Sequence, residues 1–165
     1  MNATYPIDAE LLLAGRDDIS DPALRVWLRI SSCVALIDEE LRRRLREGFG
    51  TTRPRFDFLA HLASAPDGLT LGELSQRMMV SNGNMTGLAK RLLQEGLIER
   101  RPEVTDRRIT RVVLTEDGAE AQAAMAQTYE DCVSDLLTDL DHADKEVLLT
   151  VMSLLKSSVK SRLTR

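Results

Sequence analysis

Aromatic residues are scarce, with one Trp, two Tyr and three Phe in 165 residues. A core built almost without them must come from Leu, Val, Ile, Met and Ala, a set that favours helices over strands. Cysteine and histidine are scarcer still, at two each. Cys33 and Cys132 lie far apart and have neither metal nor redox spacing, so a reduced, cytoplasmic setting is expected. His61 and His142 do not make a zinc site. No apolar run approaches the roughly 20 residues that span a bilayer. Residues Met1 to Glu10 lack the basic start and apolar stretch of a secretory signal. The chain also has no G-x-S-x-G, no H-E-x-x-H and no phosphate loop, so an enzyme is not expected, nor a cofactor or a metal.

What is present is a globular composition of one domain's length, 43% apolar and 29% charged. The net charge of -4 argues at first against a polyanionic partner. Its distribution reverses that. Between Val80 and Arg111 seven bases face four acids, whereas between Thr115 and Glu146 ten acids face one base. A local basic footprint on an acidic body is enough to attract nucleic acid, because the local field is what the partner meets.

The apolar spacing orders the chain. Residues 1–19 carry weak periodicity and read as a loose arm. Ser20-Asp21-Pro22 is a helix start, a capping side chain followed by Pro at the first helical position. Leu24, Trp27, Ile30, Val34, Ile37, Leu41 and Leu45 then recur at steps of three and four, which predicts a long amphipathic helix ended by Gly48 and Gly50. A second helix is predicted from Arg53-Pro54 to the turn Ala65-Pro66-Asp67-Gly68. Thr70 and Glu73 form a capping box for a short third helix. Ser81 is expected to cap a fourth, which buries Met85, Leu88 and Leu92 and ends at Gly96. The period then changes. Leu97 to Arg101 and Ile109 to Leu114 read as strands of a hairpin with a charged tip. Thr115 caps a fifth helix, and a sixth runs from about Ala143 to Arg162 with Leu148, Met152, Leu155 and Val159 on one face.

Two short helices joined by a tight turn, the second polar on its outer face, make a helix-turn-helix, and a basic hairpin directly after it makes a wing. The second helix is expected in the major groove, where base edges are distinguishable. Its outward residues are Ser81, Asn82, Asn84, Thr86, Lys90, Arg91 and Gln94. Asparagine suits adenine, and Lys or Arg suits guanine or phosphate. Arg107 and Arg108 at the hairpin tip suit a narrow, negative minor groove. Taken singly, the helix reads equally well as an ordinary surface helix; in this order the features point to DNA.

Residues Leu69 to Leu74, Val80-Ser81, Leu92 to Arg100, and Asp106-Arg107-Arg108 through Thr115 with Gly118 resemble the MarR family of regulators, whose wing follows D-x-R-x-x-x-V-x-L-T-x-x-G. The resemblance covers residues 22 to 162. It implies a mainly helical fold with a β-hairpin wing. The winged helix-turn-helix domain (51–114) is flanked by a dimerisation region (20–50 and 115–165). It implies a homodimer that reads an inverted repeat in double-stranded DNA, Arg108 as the minor-groove arginine and Asp106 as the brace of the wing. Repression is that family's commoner habit. Gly87 and Lys90 depart from it, since many members carry Arg and Asp there. Ser81-Asn82-Gly83-Asn84-Met85-Thr86-Gly87 also resembles a subgroup that controls aromatic-compound catabolism.

The family's effectors, often aromatic acids, are implied between the dimer helices and the winged domain. The matching positions are Trp27, Cys33 and Ile37 on the first helix and Phe58 and His61 on the second. Each has a plainer reading: Trp27 in a dimer core, Phe58 in the domain core, His61 at its boundary. The basic run Arg42, Arg43, Arg44 and Arg46, with Arg53 or Arg55, suits an anionic effector such as a carboxylate or a CoA thioester, or else is a solvated helix end. Redox sensing through Cys33 is an alternative, weakened by its apolar neighbours. A winged helix that binds only protein is another, and it would not lose affinity steeply with salt.

Overall fold

The computed structural model describes residues 21–103 and 109–164; the expected N-terminal arm and the hairpin tip lie outside them. The first helix, α1, runs Pro22–Phe49. Asp21 caps it by accepting the Ala23 N–H at 2.9 Å, and Gly50 in the left-handed region ends it. Gly48, expected to help stop the helix, lies within it. The two halves of α1 differ. Leu41 and Leu45 are buried at 1% exposure, whereas Leu24, Val26, Trp27, Val34 and Leu36 are exposed.

Helices α2 (Arg53–Ala63), α3 (Leu71–Met78) and α4 (Asn82–Gln94) follow, then β1 (Ile98–Pro102), β2 (Thr110–Leu114) and α5 (Glu116–Leu136). Phe58, Leu59, Leu74, Met85, Ala89, Leu92, Ile98 and Val112 close one core among them. Tyr129 of α5 stacks on Phe56 of α2, ring centroids 5.3 Å apart, and Arg53 lies over its face at 5.2 Å. The strands pair antiparallel with Ile98 opposite Leu114 and Pro102 opposite Thr110. Leu69, just before α3, adds a short bridge to Val112 through two backbone bonds of 3.0 and 2.8 Å. That close approach is why Gly68 stands before it. Its φ is +79°, and a Cβ would fall 2.6 Å from the Val112 carbonyl oxygen.

The chain divides into two compact units after Cys132. The second carries α6 (His142–Leu163), capped by Asp141, which accepts the Asp144 N–H at 2.8 Å. No residue of α6 is buried. Its apolar surface is broader than the expected single stripe, because Val147, Leu149, Val151 and Leu154 are exposed beside Leu148, Met152 and Val159. Among the described residues no helix is long and apolar enough to cross a membrane.

Candidate nucleic-acid interface

The pair α3–α4 is built on local signals. Thr70 Oγ1 accepts the Glu73 N–H at 3.2 Å, and Glu73 Oε2 accepts the Thr70 N–H at 2.7 Å, so two of the orphan donors at the start of α3 are satisfied. The Thr70 N–H, and then the Thr70 hydroxyl donating to the same Oε2 at 3.0 Å, hold the Glu73 carboxyl below its ordinary pKa. The helix ends on Met79, a non-glycine residue in the left-handed region (φ 54°) and almost fully exposed. Ser81 then occupies the cap position of α4 with extended backbone, but its side chain makes no capping hydrogen bond, contrary to expectation.

Helix α4 buries Met85, Ala89 and Leu92; Leu88 is only half-buried. The opposite side exposes Asn84, Thr86, Gly87, Lys90, Arg91 and Gln94 together, so those expected DNA-facing residues share one accessible side. A Cβ at Gly83 or Gly87 would meet nothing within 4 Å, which leaves this side bare at two points one turn apart. The side chain of Asn82, and Asp106, Arg107 and Arg108, lie outside the described residues. Strand β1 carries Arg100 and Arg101 on the surface, the latter 2.6 Å from Glu99.

Sequence reading missed the tie between α2 and α4. Arg55 donates through both terminal nitrogens to Glu95, with Nη1 2.7 Å from Oε1. Forty positions separate the two residues, so no periodicity marks them. The pair holds the Glu95 carboxyl below its usual range. Arg55 Nε is buried without a hydrogen-bond partner. A groove of about 500 Å³ opens here, lined by Thr52, Pro54, Arg55, Met78, Leu88 and Arg91.

The expected effector residues differ in their surroundings. Phe58 is wholly buried in the core, as its plainer reading had it. Trp27 is 64% exposed, Cys33 is exposed rather than enclosed by apolar neighbours, and Ile37 and His61 are half-buried. The arginine run is largely paired within α1. Arg43 reaches Glu40 at 2.6 Å and Glu47 at 2.5 Å, and Arg44 reaches Glu40 at 2.9 Å. Arg53 pairs with Asp38 and Asp57. Its own pairs therefore account for much of the charge that was to hold an anion.

Glu40 gives a pH prediction. Hydrogen bonds from Arg43, and then from Arg44, outweigh partial burial and lower its pKa to about 2. A carboxyl depressed on folding stabilises the fold above its unfolded pKa, and that contribution is lost as pH falls from about 4.5 toward 2. Glu40→Gln should cost no more than about 1 kcal/mol at pH 7, as partly exposed pairs do. Thermal melts should show the gap from the parent closing over that acid window. A gap unchanged at pH 2 would refute the assignment.

With α3 and α4 joined by a tight turn and the antiparallel hairpin directly following, the first unit has the arrangement of a winged helix-turn-helix protein. A sequence model described as the MarR family matches residues 49–109. The transcriptional activatory protein BadR of Rhodopseudomonas palustris is 29% identical over 107 residues, 64% of this chain and 61% of BadR. A MarR family transcriptional regulator from Silicibacter pomeroyi superposes with a TM-score of 0.68 at 28% identity, over 87% of this chain and 99% of that one. A MepR–DNA complex from S. aureus shares the fold with a TM-score of 0.65 at 21% identity, over 81% and 96%. Residues 49–109 of the chain thus match the MarR family, and the described structure shares the fold of its solved members.

Proposed function

We propose that the chain is a cytoplasmic transcription regulator that binds an inverted repeat in duplex DNA as a homodimer. The carrying observation is the exposed side of α4, which sets Asn84, Thr86, Lys90 and Arg91 opposite the buried Met85, Ala89 and Leu92. In the proposed complex Ser81, Asn82 and these four residues meet bases and phosphates in the major groove. Arg107 and Arg108 take the minor groove beside it, and Asp106 braces the wing. Related structures support the reading: MepR, of the same fold, was solved with DNA.

A second copy accounts for the apolar surface. The N-terminal half of α1 exposes Leu24, Val26, Trp27, Val34 and Leu36, and α6 by itself exposes six or more large apolar side chains. Exposed apolar surface on that scale marks an interaction site. We assign 20–50 and 115–165 to dimerisation and 51–114 to DNA binding. An aromatic or anionic effector would weaken binding by favouring a spacing of the two winged domains that no longer fits two half-sites. The position of the repeat sets the sign of control. An operator over the promoter gives repression, the expected mode; BadR, by contrast, is named an activator.

The test is selection from a randomised duplex library. It should enrich an inverted repeat with half-sites about one helical turn apart. No enrichment over random duplex would overturn the reading and favour a protein-only partner. Gly87 supplies a sharper check. Glycine inside a helix costs roughly 0.5–1 kcal/mol relative to alanine, and the space there is open. Gly87→Ala should therefore raise the melting temperature while weakening affinity for the selected duplex, because the new methyl stands between α4 and the groove. Affinity unchanged or improved would contradict close approach at that point.

A further inference from the structure

Asp106, proposed above to brace the wing, lies outside the described residues; within them Arg111 makes a second tie between the wing and the rest of the domain. Arg111 lies on β2, next to the buried Val112 and opposite Arg101. Its guanidinium bonds in three directions. Nε donates to Glu103 Oε2, and Nη1 donates to the Gly68 carbonyl oxygen at 3.1 Å and reaches Glu73 Oε2 at 3.5 Å. These acceptors belong to three separate parts of the chain: the end of the first wing strand, the turn before α3, and the first turn of α3. Glu73 Oε2 is the same oxygen that accepts the Thr70 N–H in the capping box. Beside them, the Glu103 N–H donates to the Ile109 carbonyl at 2.9 Å, the last described backbone bond before residues 104–108.

We propose that Arg111 is a positioning residue: it locks the wing hairpin to the start of α3, so that wing and helix-turn-helix present themselves to DNA as one piece. This rests on the DNA-binding reading above. As a source of fold stability a partly exposed ion pair is worth little. Its value lies in preorganisation, since a wing not held in place must be ordered at the moment of binding, and that entropy is subtracted from affinity. Arginine suits the place geometrically, because its planar fork holds separate donors at fixed spacing toward a main-chain oxygen and two carboxylates, whereas lysine brings one point charge on a flexible stem.

Charge alone and the clamp predict opposite outcomes for Glu103. Removing a carboxylate near a polyanion should tighten binding if Glu103 acts only through its charge. Loss of the clamp should loosen it. The probe is the duplex of roughly 30 base pairs selected by the parent protein, long enough for two half-sites. Glu103→Gln and Arg111→Lys are each expected to weaken binding about five- to tenfold through lost preorganisation. Melting temperatures should stay close to the parent, and the slope of log affinity against log salt should not change. Tighter or unchanged binding by Glu103→Gln overturns the clamp, as does full affinity in Arg111→Lys. A salt slope reduced by about 0.9 in Arg111→Met would make Arg111 a phosphate contact instead. If the parent enriches no sequence, the DNA reading itself fails and the clamp falls with it. If it does enrich one, these variants judge the clamp alone.

Discussion

Alanine in place of both Arg107 and Arg108 is expected to weaken binding to the selected duplex on the order of 100-fold, while the dimer and its melting temperature stay as in the parent. A hydrogen bond to a charged group is worth roughly 1.5 kcal/mol net at its lower end, which is about tenfold in affinity. Two such contacts give the figure. The wing tip joins two strands whose inner residues, Ile98, Val112 and Val113, carry the packing. The salt dependence should change as well, its slope falling by about 0.9 for each phosphate-neutralising arginine lost. Competition anisotropy over a salt series measures both quantities. Parent-like affinity and slope in the double variant would remove the wing from the interface.

Gly118→Ala should have the largest effect on the fold. A Cβ at this position would fall 1.8 Å from the Leu97 carbonyl oxygen and 2.8 Å from its carbon. The obstacle is backbone, so no rotamer relieves it. The surrounding bonds leave little room to move: Thr115 Oγ1 accepts the Gly118 N–H at 3.0 Å and donates to the Gly96 carbonyl at 2.7 Å, and the Thr115 N–H donates to Leu97 at 3.2 Å. Overpacking a well-filled site costs roughly 1–3 kcal/mol, occasionally more, and a main-chain collision belongs at the upper end. About 3 kcal/mol corresponds to a melting temperature lower by roughly 6–12 °C for a chain of this length. Gly48→Ala is the control. It lies inside α1 with nothing within 4 Å of a new Cβ, and should be neutral or stabilising. A Gly118→Ala protein that melts within a degree or two of the parent would contradict the described seating of α5.

Residues that act through local spacing were legible in the sequence. The Asp21-Pro22 start, the Thr70–Glu73 capping box, the 65–68 turn and the change of period at Leu97 each depend on neighbours within four positions, and each element lies where its signal stood. The stripe Met85, Leu88 and Leu92 marked the inner face of α4, with Ala89 rather than Leu88 its fully buried third member. Contacts between distant positions were not legible. Arg55 with Glu95 and Arg111 with Gly68 are 40 and 43 positions apart, and no periodicity encodes such pairs. Burial also misled where an apolar residue has no cover within its own chain. Trp27 and Cys33 sit on an apolar side of α1, yet that side is open. The arginines of α1 read as a patch seeking an anion because their partners, Glu40 and Glu47, flank the run rather than interrupt it.

In the proposed complex two copies of this chain read one inverted repeat. The most direct measurement is an equilibrium titration of the selected duplex against a scrambled duplex of equal length and composition, repeated between about 50 and 200 mM salt. Two chains per duplex are expected, with a preference for the repeat of roughly 10³-fold or more and a linear loss of log affinity with log salt. Equal affinity for the two duplexes, or one chain bound per repeat, would contradict it.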